Sequence, residues 1–339
     1  MRAGTERATG RGTAADRGHM TVTIAPPISR ENLARTAAAL RAIADRTPLV
    51  ESAQLSRRFG VPVWVKCEHL HPVGAFKLRG AYTAISRLSA EERARGLITH
   101  SSGNHGQAVA FVAKHFGARA VIVMPENAPA VKVEGIRRHG AEIVFTTRKE
   151  REQRSRELVE SQGLVMVAPY DNLDVIMGQG TCAVEIFEDQ PTVTTIITPI
   201  GGGGMLAGTC AAVVSIKPDT AVWAVEPAVS PKLSAALAAG HPVEFDPVET
   251  LADGLVPPSV GTITFAYVQP VVRGAVVLTE AEIAAGVKFL YRSMGLRVEP
   301  SGATPVAALL AGKVVPTGST ACVLTGGNID PVVFSRLVA

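Results

Sequence analysis

Lys77 stands in the run Gly74-Ala75-Phe76-Lys77-Leu78-Arg79-Gly80-Ala81, shortly after the strand-like Val63-Trp64-Val65-Lys66. An aromatic neighbour and small residues partly desolvate its amine and fix its direction, the two conditions for a lysine that attacks a carbonyl. Most lysines are solvated surface charges, so Lys77 gains meaning only from what shares its site. Three segments offer partners. Ser101-Ser102-Gly103-Asn104-His105-Gly106-Gln107 follows a strand-like run and opens a helix, where free amides and hydroxyls suit a carboxylate or phosphate. Serine and asparagine are also ordinary helix caps, so that segment alone decides little. Gly201-Gly202-Gly203-Gly204-Met205-Leu206-Ala207-Gly208 is stronger. Four consecutive glycines cost chain entropy that close approach of a phosphate to backbone amides would explain. Leu324-Thr325-Gly326-Gly327-Asn328, preceded by Glu299-Pro300-Ser301-Gly302-Ala303, reads by itself as turn chemistry. Together the segments describe a pocket for one cofactor carrying an aldehyde, a phosphate and a ring nitrogen. A rival comes from Gly202-x-Gly204-x-x-Ala207 with Glu226 at the end of the next strand, which fits a relaxed dinucleotide fingerprint and hence a nicotinamide oxidoreductase.

The elements that must position these residues alternate. Residues 63–66, 97–100, 119–124, 142–145, 194–200, 222–225 and 321–324 read as strands, and residues 106–116 and 131–139 have helical spacing, with Pro125 and Pro129 bracketing a loop. Short β-branched runs with helices between them predict an α/β fold with parallel sheets, and open sheets of that kind place ligands at strand ends. Residues 148–160 alternate charges at helical spacing and read as a solvated helix face.

The chain has 339 residues, 47% hydrophobic and 19% charged, enough for two buried cores. Of its net charge of +4, residues 1–20 hold +2, from Arg2, Arg7, Arg11 and Arg17 against Glu6 and Asp16. The nearly neutral remainder gives no electrostatic case for nucleic acid. That segment has no apolar run, so it reads as a disordered tail, neither signal nor anchor, with Met20 a second candidate start. No stretch has the length and apolarity of a membrane span, so no membrane partner is expected. Cys67, Cys182, Cys210 and Cys322 lack metal or disulfide spacing, which predicts reduced buried thiols and a cytoplasmic protein.

The runs around Lys77, Ser101–Gln107, the four glycines and Thr325-Gly326-Gly327-Asn328 resemble, in order and spacing, the pyridoxal-phosphate enzymes of the tryptophan-synthase-β fold (fold type II). Within them the chain is most similar to the threonine/serine dehydratase and serine racemase branch, over residues 48–330. The other motifs are not required by a dinucleotide enzyme, so the resemblance favours pyridoxal phosphate. It implies two three-layer α/β/α domains with largely parallel open sheets. The large one spans residues 21–95 and 170–339, and the small one, residues 96–169, is inserted.

By that resemblance Lys77 carries the cofactor as a Schiff base, Phe76 packs beside it and Asn104 binds the ring hydroxyl. Gly201, Gly202, Gly203, Gly204 and Met205 hold the phosphate, Glu299 borders the cofactor, and Thr325 takes the place, usually a serine, near the pyridine nitrogen. A hydroxyl there leaves the nitrogen largely unprotonated, which favours elimination over a long-lived carbanion. The substrate carboxylate sits on Ser101, Ser102, Gly103, Asn104 and His105. Freed Lys77 removes the α-proton, the β-hydroxyl leaves with help from the cofactor phosphate, and hydrolysis of the enamine product yields a 2-oxo acid and ammonia. The implied activity is an ammonia-lyase on serine, threonine or a relative, in a homodimer. Ser102 keeps racemisation as the alternative, because racemases of the branch place a serine opposite the lysine. Larger substrates such as hydroxyaspartate or phenylserine also remain open, with His71 and Tyr170 as candidates for the side-chain pocket.

Two departures from the pattern matter. Racemase-like members bind a divalent cation through a glutamate of a Glu-Pro segment and an aspartate six residues later. Here Glu226-Pro227 is followed by Lys232, so no metal is expected, and the ammonium is expected to pair with Glu226. The chain also ends at Ala339, without the regulatory domain of biosynthetic threonine dehydratases, so feedback by isoleucine is not expected. Cysteine-synthase-like replacement chemistry ranks third. A non-catalytic phosphate-binding protein would need the glycines but neither Lys77 nor Ser102.

Overall fold

The computed structural model describes residues 27–101, 103–128, 130–147 and 149–339. The expectations for residues 1–20 and for Ser102 lie outside these. The strands are β1 (Leu49–Glu51), β2 (Val63–Lys66), β3 (Leu97–His100), β4 (Ala120–Pro125), β5 (Glu142–Thr146), β6 (Val165–Met166), β7 (Thr195–Pro199), β8 (Ala221–Pro227), β9 (Gly274–Leu278) and β10 (Thr320–Val323). They form a six-stranded sheet, β1-β2-β10-β7-β8-β9, and a four-stranded sheet, β5-β4-β3-β6. Every pairing is parallel except β1 with β2.

Both sheets are covered on both faces, which is why their central strands are continuous apolar runs. In the large sheet Ile196, Val222, Ala224 and Ala321 enter one core with helices Leu173–Asp189 and Gly204–Ile216. The alternate residues Ile197, Val225 and Cys322 enter another with helices Glu280–Met294 and Pro300–Leu310. The small sheet divides likewise, with Ile122 and Met124 on one face and Val121 and Val123 on the other. This is the α/β architecture with largely parallel sheets that the sequence predicts.

The strands that pattern reading missed, β1, β6 and β9, are all sheet edges and largely half-exposed or exposed. Strand β8 runs beyond the expected 222–225 because the unforeseen β9 pairs with its end, Glu226 with Val277 and Pro227 with Leu278. The helix expected at 106–116 spans Asn104–His115 instead, since the Gln107 N–H already bonds the Gly103 carbonyl. The charged run forms helix Arg151–Gln162, mostly exposed, with Ser155 and Leu158 buried and Arg151 and Val159 half-buried. All four cysteines are free and buried. Among the described residues, no helix is long and apolar enough to cross a membrane.

The last strand sets the site. Strand β10 inserts between β2 and β7, with Ala321 opposite both Trp64 and Ile196. The loops after β2, β7 and β10 therefore emerge side by side at the carboxyl ends of adjacent parallel strands.

Candidate active site

The loop leading to Lys77 is strapped to the loop after β10. Ala75 bridges Gly326, the Phe76 N–H donates to the Thr325 carbonyl at 3.0 Å, and the Gly327 N–H donates to the Gly74 carbonyl at 2.9 Å. Gly74 has φ +69°, and a Cβ there would lie 2.4 Å from Asn328 Oδ1, so both conformation and space demand glycine. Lys77 then begins helix Lys77–Arg87, whose apolar face packs on helix Asn104–His115. Its Nζ donates to the Pro169 carbonyl and lies 5.1 Å from the centre of the Phe76 ring. Burial disfavours the ammonium and lowers the Lys77 pKa to about 8.

The glycine loop follows β7. The Gly202 carbonyl accepts from the Gly261 N–H at 3.0 Å and the Thr264 hydroxyl at 2.8 Å. Gly203 turns at φ +101° into helix Gly204–Ile216. Among the described residues the N–H groups of Gly203, Gly204 and Met205 find no acceptor, and they sit at the positive end of that helix. The Tyr170 ring covers the loop so closely that a Cβ on Gly202 would lie 2.4 Å from it. Gly202→Ala should therefore displace Tyr170 and cost about 1–3 kcal/mol of unfolding free energy, which urea denaturation measures.

Asn104 joins the two sheets. Its Nδ2 donates to Glu299 Oε1 at 2.7 Å, and its Oδ1 accepts from Asn328 Nδ2 at 2.8 Å, which also donates to the Val73 carbonyl at 2.8 Å. Burial, and then the charge of Asp253, raise the Glu299 pKa to about 8 against the opposing pull of Lys132 and the Asn104 amide. At neutral pH this carboxyl is mostly protonated. His105 borders the cleft, but its Nε2 bonds the Val167 carbonyl at 3.1 Å, and its Nδ1 is buried without a partner. Burial, reinforced by the nearby Lys77 charge, pushes its pKa down to about 3, so the ring is neutral.

One cleft, of about 1110 Å³ out to its open mouth, is lined by Phe76, Lys77, Ser101, Gly103, Asn104, His105, all four glycines, Met205, Glu299 and Thr325. Every described residue expected from sequence to hold the cofactor or the substrate carboxylate lines it. The cleft also takes Tyr170, Ser301, Lys132 and Asp253, and the last two form an ion pair at its rim. Arg151 and Glu152, from the charged run read as a solvated face, border it as well. His71 does not line it. It is buried against Glu68, with Nε2 and Oε2 3.1 Å apart.

Glu226 corrects two expectations. Its carboxylate accepts the N–H groups of Leu233 and Ser234 at 2.8 and 2.9 Å, capping helix Lys232–Ala239, so it does not line the cleft as a dinucleotide partner would. Nor does it form an ion pair with Lys232, which bonds backbone carbonyls instead.

The residues present fit pyridoxal phosphate: an amine of lowered pKa, a cradle of unpaired amides that a Cβ would block, and a buried hydroxyl, Thr325, lie in one cleft. The family of pyridoxal-phosphate dependent enzymes matches residues 40–326. An L-threonine ammonia-lyase of Geobacter sulfurreducens is 39% identical over 302 residues, 88% of this chain and 75% of that protein. An L-threo-3-hydroxyaspartate ammonia-lyase of a Pseudomonas species is 36% identical over 313 residues, 91% of this chain and 98% of that protein. Among solved structures, maize serine racemase superposes with a TM-score of 0.88 at 33% identity, over 92% of this chain and 97% of that one.

Proposed function

The chain belongs to the pyridoxal-phosphate dependent enzymes, and from that premise we propose that it is an ammonia-lyase converting a small β-hydroxy amino acid, such as L-threonine or L-serine, into a 2-oxo acid and ammonia. The observation that carries the reading is the Lys77 amine, with a pKa of about 8, in one cleft with the glycine cradle and with Ser101, Gly103 and Asn104. When bound, pyridoxal phosphate supplies the electron sink that weakens the bonds to the amino acid's α-carbon.

The chain's own residues supply the rest. Lys77 would hold the cofactor and, once released, take the α-proton, which its pKa suits near neutral pH. The other lysine lining the cleft, Lys132, is engaged by Asp253. The Gly203, Gly204 and Met205 amides would hold the phosphate at a helix N-terminus. Asn104, oriented by Glu299 and Asn328, would bind the ring hydroxyl, and Phe76 would pack beside the ring. Thr325 would face the ring nitrogen with a neutral hydroxyl. Ser101, Ser102, Gly103 and Asn104 would receive the substrate carboxylate, and neutral His105 would border it without competing for the proton. The proposal includes a cytoplasmic homodimer, a location consistent with four unpaired cysteines.

Racemisation is the second reading, and it rests on Ser102 as a proton carrier opposite Lys77. A panel of threonine, serine, 3-hydroxyaspartate and phenylserine, read for 2-oxo acid and for α-deuterium exchange, separates the two. At least one substrate should give stoichiometric oxo acid and ammonia. Exchange without oxo acid would replace the lyase by a racemase.

A further inference from the structure

Besides Lys77, which faces the cleft, three lysines are buried among the described residues: Lys66, Lys132 and Lys232. Lys66 pairs with Glu185 and Lys132 with Asp253. Lys232, with no exposed surface, forms no ion pair among the described residues. Its Nζ donates to the Leu255 carbonyl at 2.9 Å and reaches the Ser230 carbonyl at 3.5 Å, while Glu226 acts on it only from a distance. It is also the first residue of helix Lys232–Ala239, where the helix dipole repels a positive charge. Burial, the lack of a close carboxylate and the dipole all oppose an ammonium here, and packing alone would be served better by leucine or methionine.

What the amine holds is the wall of the active-site cleft. Asp253, Gly254, Leu255, Val256, Pro257 and Pro258 all line the cleft. The Gly254 carbonyl is packed so closely on the glycine cradle that a Cβ on Gly201 would lie 3.0 Å from it, and the Gly254 N–H is tied to Ser301 at 2.9 Å. Strand β8 ends at Pro227, so the amine links the loop beyond β8 to that wall. A compact cation bonding backbone carbonyls from two segments does what a bound monovalent ion would do, with the ion attached to the chain.

We propose that the Lys232 ammonium is a tethered internal cation that pins residues 253–258 against the glycine cradle, making Lys232 a positioning residue for cofactor phosphate binding. The inference rests on residues 201–204 being that phosphate site. Removal of the charge frees the Leu255 carbonyl, loosens the wall and weakens the cofactor without touching Lys77.

The test titrates apo wild type, Lys232→Ala and Lys232→Met with pyridoxal phosphate by absorbance, in tetramethylammonium buffer and again with excess potassium or ammonium. Wild type should bind in every buffer. Lys232→Ala should bind about tenfold or more weakly and recover with potassium or ammonium, because the truncation leaves room for a free ion among the carbonyls. Lys232→Met, which fills that room, should stay weak in all buffers. Amide hydrogen exchange should speed up in residues 253–256 of Lys232→Met and stay unchanged in β4. Binding within twofold of wild type by Lys232→Met, or a weak Lys232→Ala that no cation restores, overturns the proposal. Failure of wild type itself to take up the cofactor would overturn the site reading instead.

Discussion

Lys77→Ala should abolish oxo acid formation, by at least about a thousandfold, and should remove the cofactor adduct that borohydride traps on the wild-type chain. Two roles are lost with one amine: the covalent hold on the cofactor and the proton transfer, the latter alone worth about a hundred- to ten-thousandfold. The electrostatics of the cleft give a second readout. An ordinary lysine with a pKa near 10.4 is neutral in only about 4 of 10,000 molecules at pH 7, whereas a pKa of about 8 raises the neutral fraction to about a tenth. Because burial penalises the charged form, the shift is downward, so reactivity appears earlier as pH rises. In the apo protein, acylation of Lys77 followed by peptide mass spectrometry should increase with pH around a midpoint near 8. Trapping of the cofactor on Lys132 with retained turnover would assign the chemistry to the wrong lysine.

The parts of this site that were legible in the sequence are those where backbone geometry restricts residue choice. Gly203 at positive φ, Gly202 beneath the Tyr170 ring and Gly74 against Asn328 each exclude a side chain, and such positions stand out as glycine whatever surrounds them. Central strands were legible because burial on both faces makes them continuously apolar, while β1, β6 and β9 at the edges lack that signature. What stayed hidden depends on partners far along the chain. Asn328 was part of a quoted motif, but nothing local says that it orients Asn104, 224 residues away. Lys132 and Asp253 carry no local signal, and only the fold brings these two segments, 121 residues apart, together at the cleft rim. Glu226 shows the opposite error. Its spacing from the glycines imitates a dinucleotide fingerprint, and only the fold reveals that it caps a helix.

Arg79→Met should be the most destabilising single substitution considered, costing about 3–5 kcal/mol of unfolding free energy, because it strands two buried carboxylates. Arg79 donates to Glu68 through Nε at 2.7 Å and Nη2 at 2.8 Å, and to Glu185 through Nη1 at 2.9 Å and Nη2 at 2.7 Å. Lys66 adds a bond of 2.6 Å to Glu185, and Thr47 one of 2.6 Å to Glu68. Burial pushes the Glu68 carboxyl up, but Arg79 and His71 outweigh it and hold it well below the usual carboxylate range. Glu185 is lowered for the same reason, with Arg79 and Lys66 overcoming its burial. Groups with depressed folded-state pKa values contribute stability above their unfolded pKa of about 4.5, and that contribution fades as pH falls toward the folded values. The gap between wild type and Arg79→Met should therefore be full at pH 7.5 and shrink below about pH 5, where the stranded carboxylates of the variant take up protons. Lys cannot reproduce the planar fork, so Arg79→Lys should recover only part of the loss. Urea denaturation of the apo proteins at both pH values measures each point, and a constant gap would show that the charges of Glu68 and Glu185 are not what Arg79 compensates. Since Arg79 lies in the first turn of the helix that begins with Lys77, the same variant should also bind pyridoxal phosphate more weakly at temperatures where it remains folded. That loss would mark this buried network as the footing that keeps the Lys77 amine aimed into the cleft.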